Sequence, residues 1–177
     1  KNEYVIIGAH FDHLGWGGPG TGSRRPDTMA IHNGADDNAS GTSTIIEIFE
    51  KLAANRSQLK RSVVFLAFGA EEMGLLGSKY FTENPLKELR NAKLMLNLDM
   101  VGRLNPDTKV LTLGGTGTAV EFESFLEKHI KSSGLEIKKS PEGYGPSDHA
   151  SFYAKDIPVL FFFTGVHDDY HTPTDDY

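Results

Sequence analysis

The sequence predicts an α/β sandwich built on a largely parallel sheet. Three observations carry that prediction. Short apolar runs of strand length recur along the 177 residues. Segments whose apolar residues repeat with helical spacing alternate with them. Acidic and imidazole side chains gather just beyond the runs, where open α/β sheets bind their ligands.

Taken in order, residues 4–9 (YVIIGA) are the first run, with the length and apolarity of a buried strand. Residues 15–34 (GWGGPGTGSRRPDTMAIHNG) form one long irregular stretch. A loop of that length inside a compact domain is more often functional or mobile than a plain connector. Residues 40–54 put Ile45, Ile48, Phe49 and Leu52 at i, i+3, i+4 and i+7, one face of a helix. Residues 62–68 (SVVFLAF) are the second strand, and 74–84 read as a helix. Residues 93–100 (KLMLNLDM) and 109–113 are the third and fourth strands. Residues 118–133 form a helix with Phe122, Phe125, Leu126 and Ile130 on one side. A last helix over 147–154 leads into the strand at 158–163. No internal repeat interrupts this order, and the length suits a single domain over residues 1–177.

Composition narrows the function. The net charge of −6 argues against nucleic acid as the main partner, because binding phosphates needs a basic surface. Part of that acidity is expected to be offset by bound cations. No apolar run approaches the roughly 20 residues of a membrane span. The absence of cysteine excludes disulfides, thiolate metal sites and a cysteine nucleophile. With Lys1 leading almost at once into the first strand, the chain reads as a core trimmed at both ends.

The residues beyond each strand hold the chemistry. His10 and Asp12 follow the first strand, Glu71 and Glu72 follow the second, and Asp99 closes the third. His171 follows the last, and Asp36-Asp37-Asn38 precede the first helix. Singly, an aspartate at a strand end is more often a turn or helix cap, and Glu71-Glu72 would suit an acidic first helical turn. Those readings do not explain why every end is acidic or imidazole. Two histidines with three or four carboxylates are too many for one zinc ion, but suit two ions sharing a carboxylate. In the Glu71-Glu72 pair, one carboxylate can bind metal while the other stays free as a general base. Asp12 points to the same side of an extended chain as His10 and is placed to accept its other imidazole N–H. Spacing alone does not separate Asp36 from Asp37.

The segments GAHFDHLG, NGADDNASG, FGAEEMGLLGS, NLDMVGR and YHTPTDD resemble, in that order, the signature of the M28 family of co-catalytic zinc peptidases. The resemblance runs from Val5 to Asp176. It implies a three-layer α/β/α sandwich with a mixed, largely parallel sheet, two Zn2+ ions, and a peptide substrate cut by an aminopeptidase. Within it His10 and Asp99 hold one zinc, Glu72 and His171 the other, and Asp37 bridges them. Glu71 is the general base, Asp12 supports His10, and Tyr170 resembles a tyrosine that steadies the oxyanion in some members. A cis peptide between Asp37 and Asn38 is implied as well. Many relatives are exported, so a secreted, periplasmic or cell-surface location is expected. The family usually carries further strands and helices before the first motif and after the last histidine, and both are missing here. Dipeptidase or carboxypeptidase specificity, a single-zinc glutaminyl cyclase-like acyltransferase and a non-catalytic binding domain are the alternatives.

The other features read as structural. His13, His32, His149 and His167 are expected to serve as hydrogen-bonding groups near the motifs. Ser147-Asp148-His149 cannot form a hydrolytic triad, because three consecutive side chains do not line up in mutual hydrogen-bond order. The segment GYGPSDH is expected to line the substrate pocket, with Asp148 positioning substrate or capping a helix. Gly114-Gly115-Thr116-Gly117 is a turn rather than a phosphate loop, and neither HExxH nor GxSxG occurs.

Overall fold

Apolar runs need cover on both faces, and in this protein the runs at 4–9, 93–100 and 158–163 supply the middle of a sheet, with the run 62–68 at one edge. The structure is a computed structural model that describes residues 2–177. Its strands are β1 (Tyr4–His10), β2 (Gly15–Gly17), β3 (Met29–His32), β4 (Ser62–Phe68), β5 (Ala92–Leu98), β6 (Val110–Gly114), β7 (Glu136–Lys139) and β8 (Val159–Phe163). Its helices are α1 (Gly41–Ala54), α2 (Leu76–Glu83), α3 (Phe122–Ile130) and α4 (His149–Tyr153). Six strands make one sheet in the order β4-β1-β5-β8-β6-β7. Every neighbouring pair is parallel except β6 with β8. The fold is thus the mixed, mostly parallel α/β sheet expected.

Alternation along β1 sorts the layers. Tyr4 and Ile6 join Phe68, Met95, Phe152 and Val159 in one apolar cluster, with Phe81 of α2 packed against it. Ile7 and Ala9 point the other way, onto Ile45, Ile48 and Leu52 of α1. Leu113 and Leu160 meet Phe122 and Leu126 of α3, sharing Leu96 and Phe162 with the α1 cluster. Helices α1 and α3 therefore cover one face, and α2 and α4 the other. In register, His10 lies beside Phe68, Gly8 beside Asn97 and Leu98 beside Phe162. The carboxyl ends of β1, β4, β5 and β8 thus finish together, and the residues after them share one rim.

Some expectations shift. The stretch 15–34 contains an antiparallel pair, β2 with β3. Strand β7 is a short charged edge (EIKK) with only Ile137 partly buried, which suits an edge but hides it in the sequence. The helix expected over 118–133 narrows to Phe122–Ile130, and Phe125 is 53% exposed instead of joining the core side. Phe49 is likewise 53% exposed, resting edge-on against Phe65 at 5.3 Å. Helix α2 begins only at Leu76, after Leu75 at φ 62, and α4 shortens to five residues.

Candidate metal centre

Every sequence-predicted ligand arrives at the rim on a different element. His10 ends β1, Asp99 follows β5, Glu71 and Glu72 follow β4, and His171 sits in the loop beyond β8. Asp37 comes from the turn ahead of α1, where the Asp37–Asn38 peptide is cis. Two glycines let that turn pass so close. A Cβ on Gly34, whose φ is 63, would run into the Asp37 carbonyl and the His13 ring, and one on Gly41 would strike Asn38 and the Leu98 carbonyl. Asn38 then clamps the turn to β5. Its amide donates to the Leu98 carbonyl at 2.9 Å, while its side-chain oxygen accepts from Gly41 N–H at 2.9 Å and Met100 N–H at 3.2 Å. Three non-glycine residues at this rim, Ala70, Met100 and His171, have φ between 52 and 56. Left-handed backbone costs about 1–3 kcal/mol per residue and concentrates at functional sites.

The two oxygens of Asp37 face two different groups. His10 Nε2 lies 3.2 Å from Asp37 Oδ1 and 3.3 Å from Asp99 Oδ1. His171 Nε2 lies 3.1 Å from Asp37 Oδ2 and 3.2 Å from Glu72 Oε2. Ligand atoms on a tetrahedral zinc with bonds of ~2.05 Å sit about 3.3 Å apart, so these separations fit the edges of such a shell. His10, Asp37 and Asp99 form one group with ligand atoms all within 4.8 Å of one another. His13, Asp37 and Glu72 form another.

Electrostatics favour positive charge here. Burial opposes protonation of His10, yet the Asp37 and Asp99 carboxylates prevail and push it up to about 12. The same contest, won by Asp37 and Glu72, raises His171 to about 10. Despite burial, His10 and His171 hold Asp37 well below the usual carboxylate range. Glu72 is lowered too, because His13 and His171 outweigh its burial. Glu71 behaves differently. It is 8% exposed, and burial raises it to about 8, with Asp99, Asp148 and Glu72 adding to the rise and His10 opposing it. A carboxyl that none of the site histidines pairs with directly is the one suited to exchanging protons.

The remaining candidates are placed as follows. Asp12 supports His10 through its main chain, since His10 Nδ1–H donates to the Asp12 carbonyl at 3.0 Å. The Asp12 carboxylate, expected in that role, lies 3.8 Å from the ring and accepts Glu71 N–H at 3.1 Å instead. Tyr170 stacks on His171 at 3.8 Å, and both line a cavity of about 570 Å3 with Asp37, Glu71, Glu72 and Asp99. Met100, Pro146, Phe161, Phe163, Val166 and Lys79 also line it. Of GYGPSDH only Pro146 lines the cavity. Asp148 is fully buried, burial raises its carboxyl to about 6, and its charge adds to the rise at Glu71; as the residue ahead of α4 it makes no side-chain capping bond.

Among the extra histidines, His13 is a hydrogen-bonding group near the motifs, as expected, and its partner is a predicted ligand. Its Nδ1 lies 2.8 Å from Glu72 Oε1, the oxygen opposite the one that faces His171. The only signal in the sequence was its position three residues after His10. His32, by contrast, is held between the Ala30 carbonyl and the Ser23 hydroxyl, and His149 stacks on Phe161 at 4.3 Å.

The model of Peptidase family M28 matches residues 1–177. The chain belongs to peptidase family M28. Among its M28 relatives, aminopeptidase YwaD of Bacillus subtilis is 35% identical over 160 residues, covering 84% of this chain and 34% of that protein. Leupeptin-inactivating enzyme 1 of Streptomyces exfoliatus is 34% identical over 143 residues, covering 79% of this chain and 31% of its own length. Among solved structures, BSAP, a zinc aminopeptidase from Bacillus subtilis, superposes with a TM-score of 0.76 at 29% identity, covering 99% of this chain and 41% of that one. The Legionella pneumophila LapA aminopeptidase gives 0.76 at 28% identity, covering 99% and 45%. The chain thus spans about a third of the length of these curated relatives and under half of the solved chains.

Proposed function

We propose that this M28 chain is the catalytic domain of a two-zinc aminopeptidase. The observation that carries the proposal is Asp37, whose two oxygens face two separate histidine–carboxylate pairs at 3.1–3.3 Å. His10, Asp99 and Asp37 would hold one zinc, and His171, Glu72 and Asp37 the other. A single-zinc centre leaves one of those pairs without a purpose. His13, on the outer oxygen of Glu72, fixes the orientation of that ligand.

When bound, paired zinc ions supply Lewis-acid polarisation of the scissile carbonyl and a lowered pKa for the attacking water. The chain's own residues do the rest. Glu71 takes the proton from that water and returns it to the departing amine. Its backbone N–H, tied to the Asp12 carboxylate, keeps it at the rim. The Tyr170 phenol, raised by burial and by the Asp37 and Glu72 charges, remains an O–H donor for the developing oxyanion. The surplus of carboxylates over imidazoles at the rim suits the protonated α-amine of a peptide. The lining of Met100, Phe161, Phe163 and Val166 suits an apolar first side chain. The proposal includes the exported location that the family resemblance implies. Among the described residues no helix is long and apolar enough to cross a membrane.

Turnover of leucine p-nitroanilide and of a leucyl tripeptide, each with a free and an acetylated N-terminus, tests the specificity. Only the free-amine substrates should be cut. Release of the C-terminal residue would mark a carboxypeptidase, and loss of ammonia without hydrolysis a cyclase; either would overturn the proposal.

A further inference from the structure

Three consecutive backbone N–H groups converge on one residue outside the ligand set. Ala35 N–H donates to the Asp175 carbonyl at 3.1 Å. Asp36 N–H reaches both Asp175 carboxylate oxygens, at 3.1 and 3.2 Å, and Asp37 N–H reaches Oδ2 at 3.0 Å. Asp175 is 0% exposed, so these bonds form without competition from water. Arg103 donates to Asp175 Oδ1 at 3.4 Å and is itself anchored on Asp169 at 2.7 Å and on the Asp176 carbonyl at 3.1 Å.

The arrangement ties together two loops that share no strand. One is the turn that presents Asp37 to both groups; the other carries His171, four residues before Asp175. Both must keep their spacing for His171 Nε2 to stay 3.1 Å from Asp37 Oδ2. Building on the two-zinc proposal, we propose that Asp175 is a positioning residue that sets this spacing, gripping the backbone of the bridging aspartate and so governing how tightly the shared zinc pair is held. Its charge matters as well as its shape. A carboxylate offers only acceptors to the Asp36 N–H, the Asp37 N–H and Arg103, whereas an asparagine amide would turn a donor toward one of them and leave a donor unpaired in a buried place.

The test is zinc affinity, read by competition with a chromogenic chelator on the protein stripped of metal, at a temperature well below the melting of every variant. Asp175→Asn should weaken zinc binding by about 10–100-fold, the range for groups that orient a ligand from behind. Arg103→Gln should weaken it several-fold in the same direction. Asp176→Asn, whose carboxylate among the described residues accepts only the neighbouring Tyr177 N–H, should match the wild type. A lowered melting temperature with unchanged zinc affinity in Asp175→Asn would show a merely structural role and overturn the inference. If Asp175→Asn does not fold, wild-type affinity in folded Arg103→Gln overturns it. Failure of the wild type itself to bind zinc would sink the two-zinc proposal first, and is told apart by the wild-type titration alone.

Discussion

Replacing Glu71 with glutamine separates a base from a ligand with almost no change of shape. The side chain is 8% exposed, so an isosteric amide keeps the packing while removing the proton acceptor. A positioned general base contributes roughly 10²–10⁴-fold, or about 3–5 kcal/mol of barrier. Turnover of leucine p-nitroanilide should therefore fall by at least ~10²-fold, with zinc content unchanged. The metal-free protein provides an independent check. Burial raises the Glu71 carboxyl from 4.5 to about 8, so folding favours its neutral form. Its contribution to stability is present below pH 4.5 and lost as pH rises through 8. At 1.36 kcal/mol per pH unit the loss is at most roughly 5 kcal/mol. Glutamine never ionises, so stripped Glu71→Gln should melt several degrees above the stripped wild type at pH 9 and beside it at pH 4.5. Loss of zinc in the variant would make Glu71 a ligand, and turnover within tenfold of wild type would refute its role as the base.

Three further substitutions probe other parts of the site. Asp37→Asn weakens the carboxylate shared by both groups, so zinc content measured by mass spectrometry should fall below one per chain; two retained ions would show that Asp37 does not bridge. Tyr170→Phe should lower kcat on the order of 10²-fold with KM little changed, as for a lost oxyanion donor, and unaltered kcat would remove the phenol from the reaction. His149 is buried against Phe161, and burial lowers it from 6.5 to about 4. Its stabilising contribution is present above pH 6.5 and lost, to about 3 kcal/mol, as pH falls to 4. His149→Phe keeps the ring stack, so its melting temperature should gain on the wild type by roughly 5–10 °C between pH 7 and pH 4; parallel pH profiles would contradict this.

Much of the sheet was legible because β1, β5 and β8 are largely buried apolar runs, and β4, though a half-buried edge, is an uninterrupted apolar run as well. Strand β7 was not, since an edge strand keeps its lysines in water and breaks the pattern. Strands β2 and β3 were hidden by glycines and by a register that shifts between Gly15 and Gly17. Phe49 and Phe125 were misassigned because helical spacing defines a stripe but not its width, and each lies on the margin of the buried face. The site residues could be gathered from the sequence because sheet topology brings strand ends together whatever the details. Which atom of each residue does the work could not. The Asp12 carbonyl in place of its carboxylate, the clamp formed by Asn38, the burial of Asp148 and the contact of His13 with Glu72 all depend on side-chain directions set by tertiary packing. The role of Asp175 was invisible for the same reason, although the residue lies within the segment YHTPTDD. An aspartate in a turn-rich terminal segment looks like a solvated turn residue until the backbone it holds is known.

Zinc content of the purified protein by mass spectrometry, with peptide turnover followed through chelation and zinc restoration, bears most directly on the central claim. Close to two zinc ions per chain, with turnover that disappears on chelation and returns with zinc, is the expected result. A single ion at full turnover, or turnover that survives removal of both, would contradict a centre bridged by Asp37.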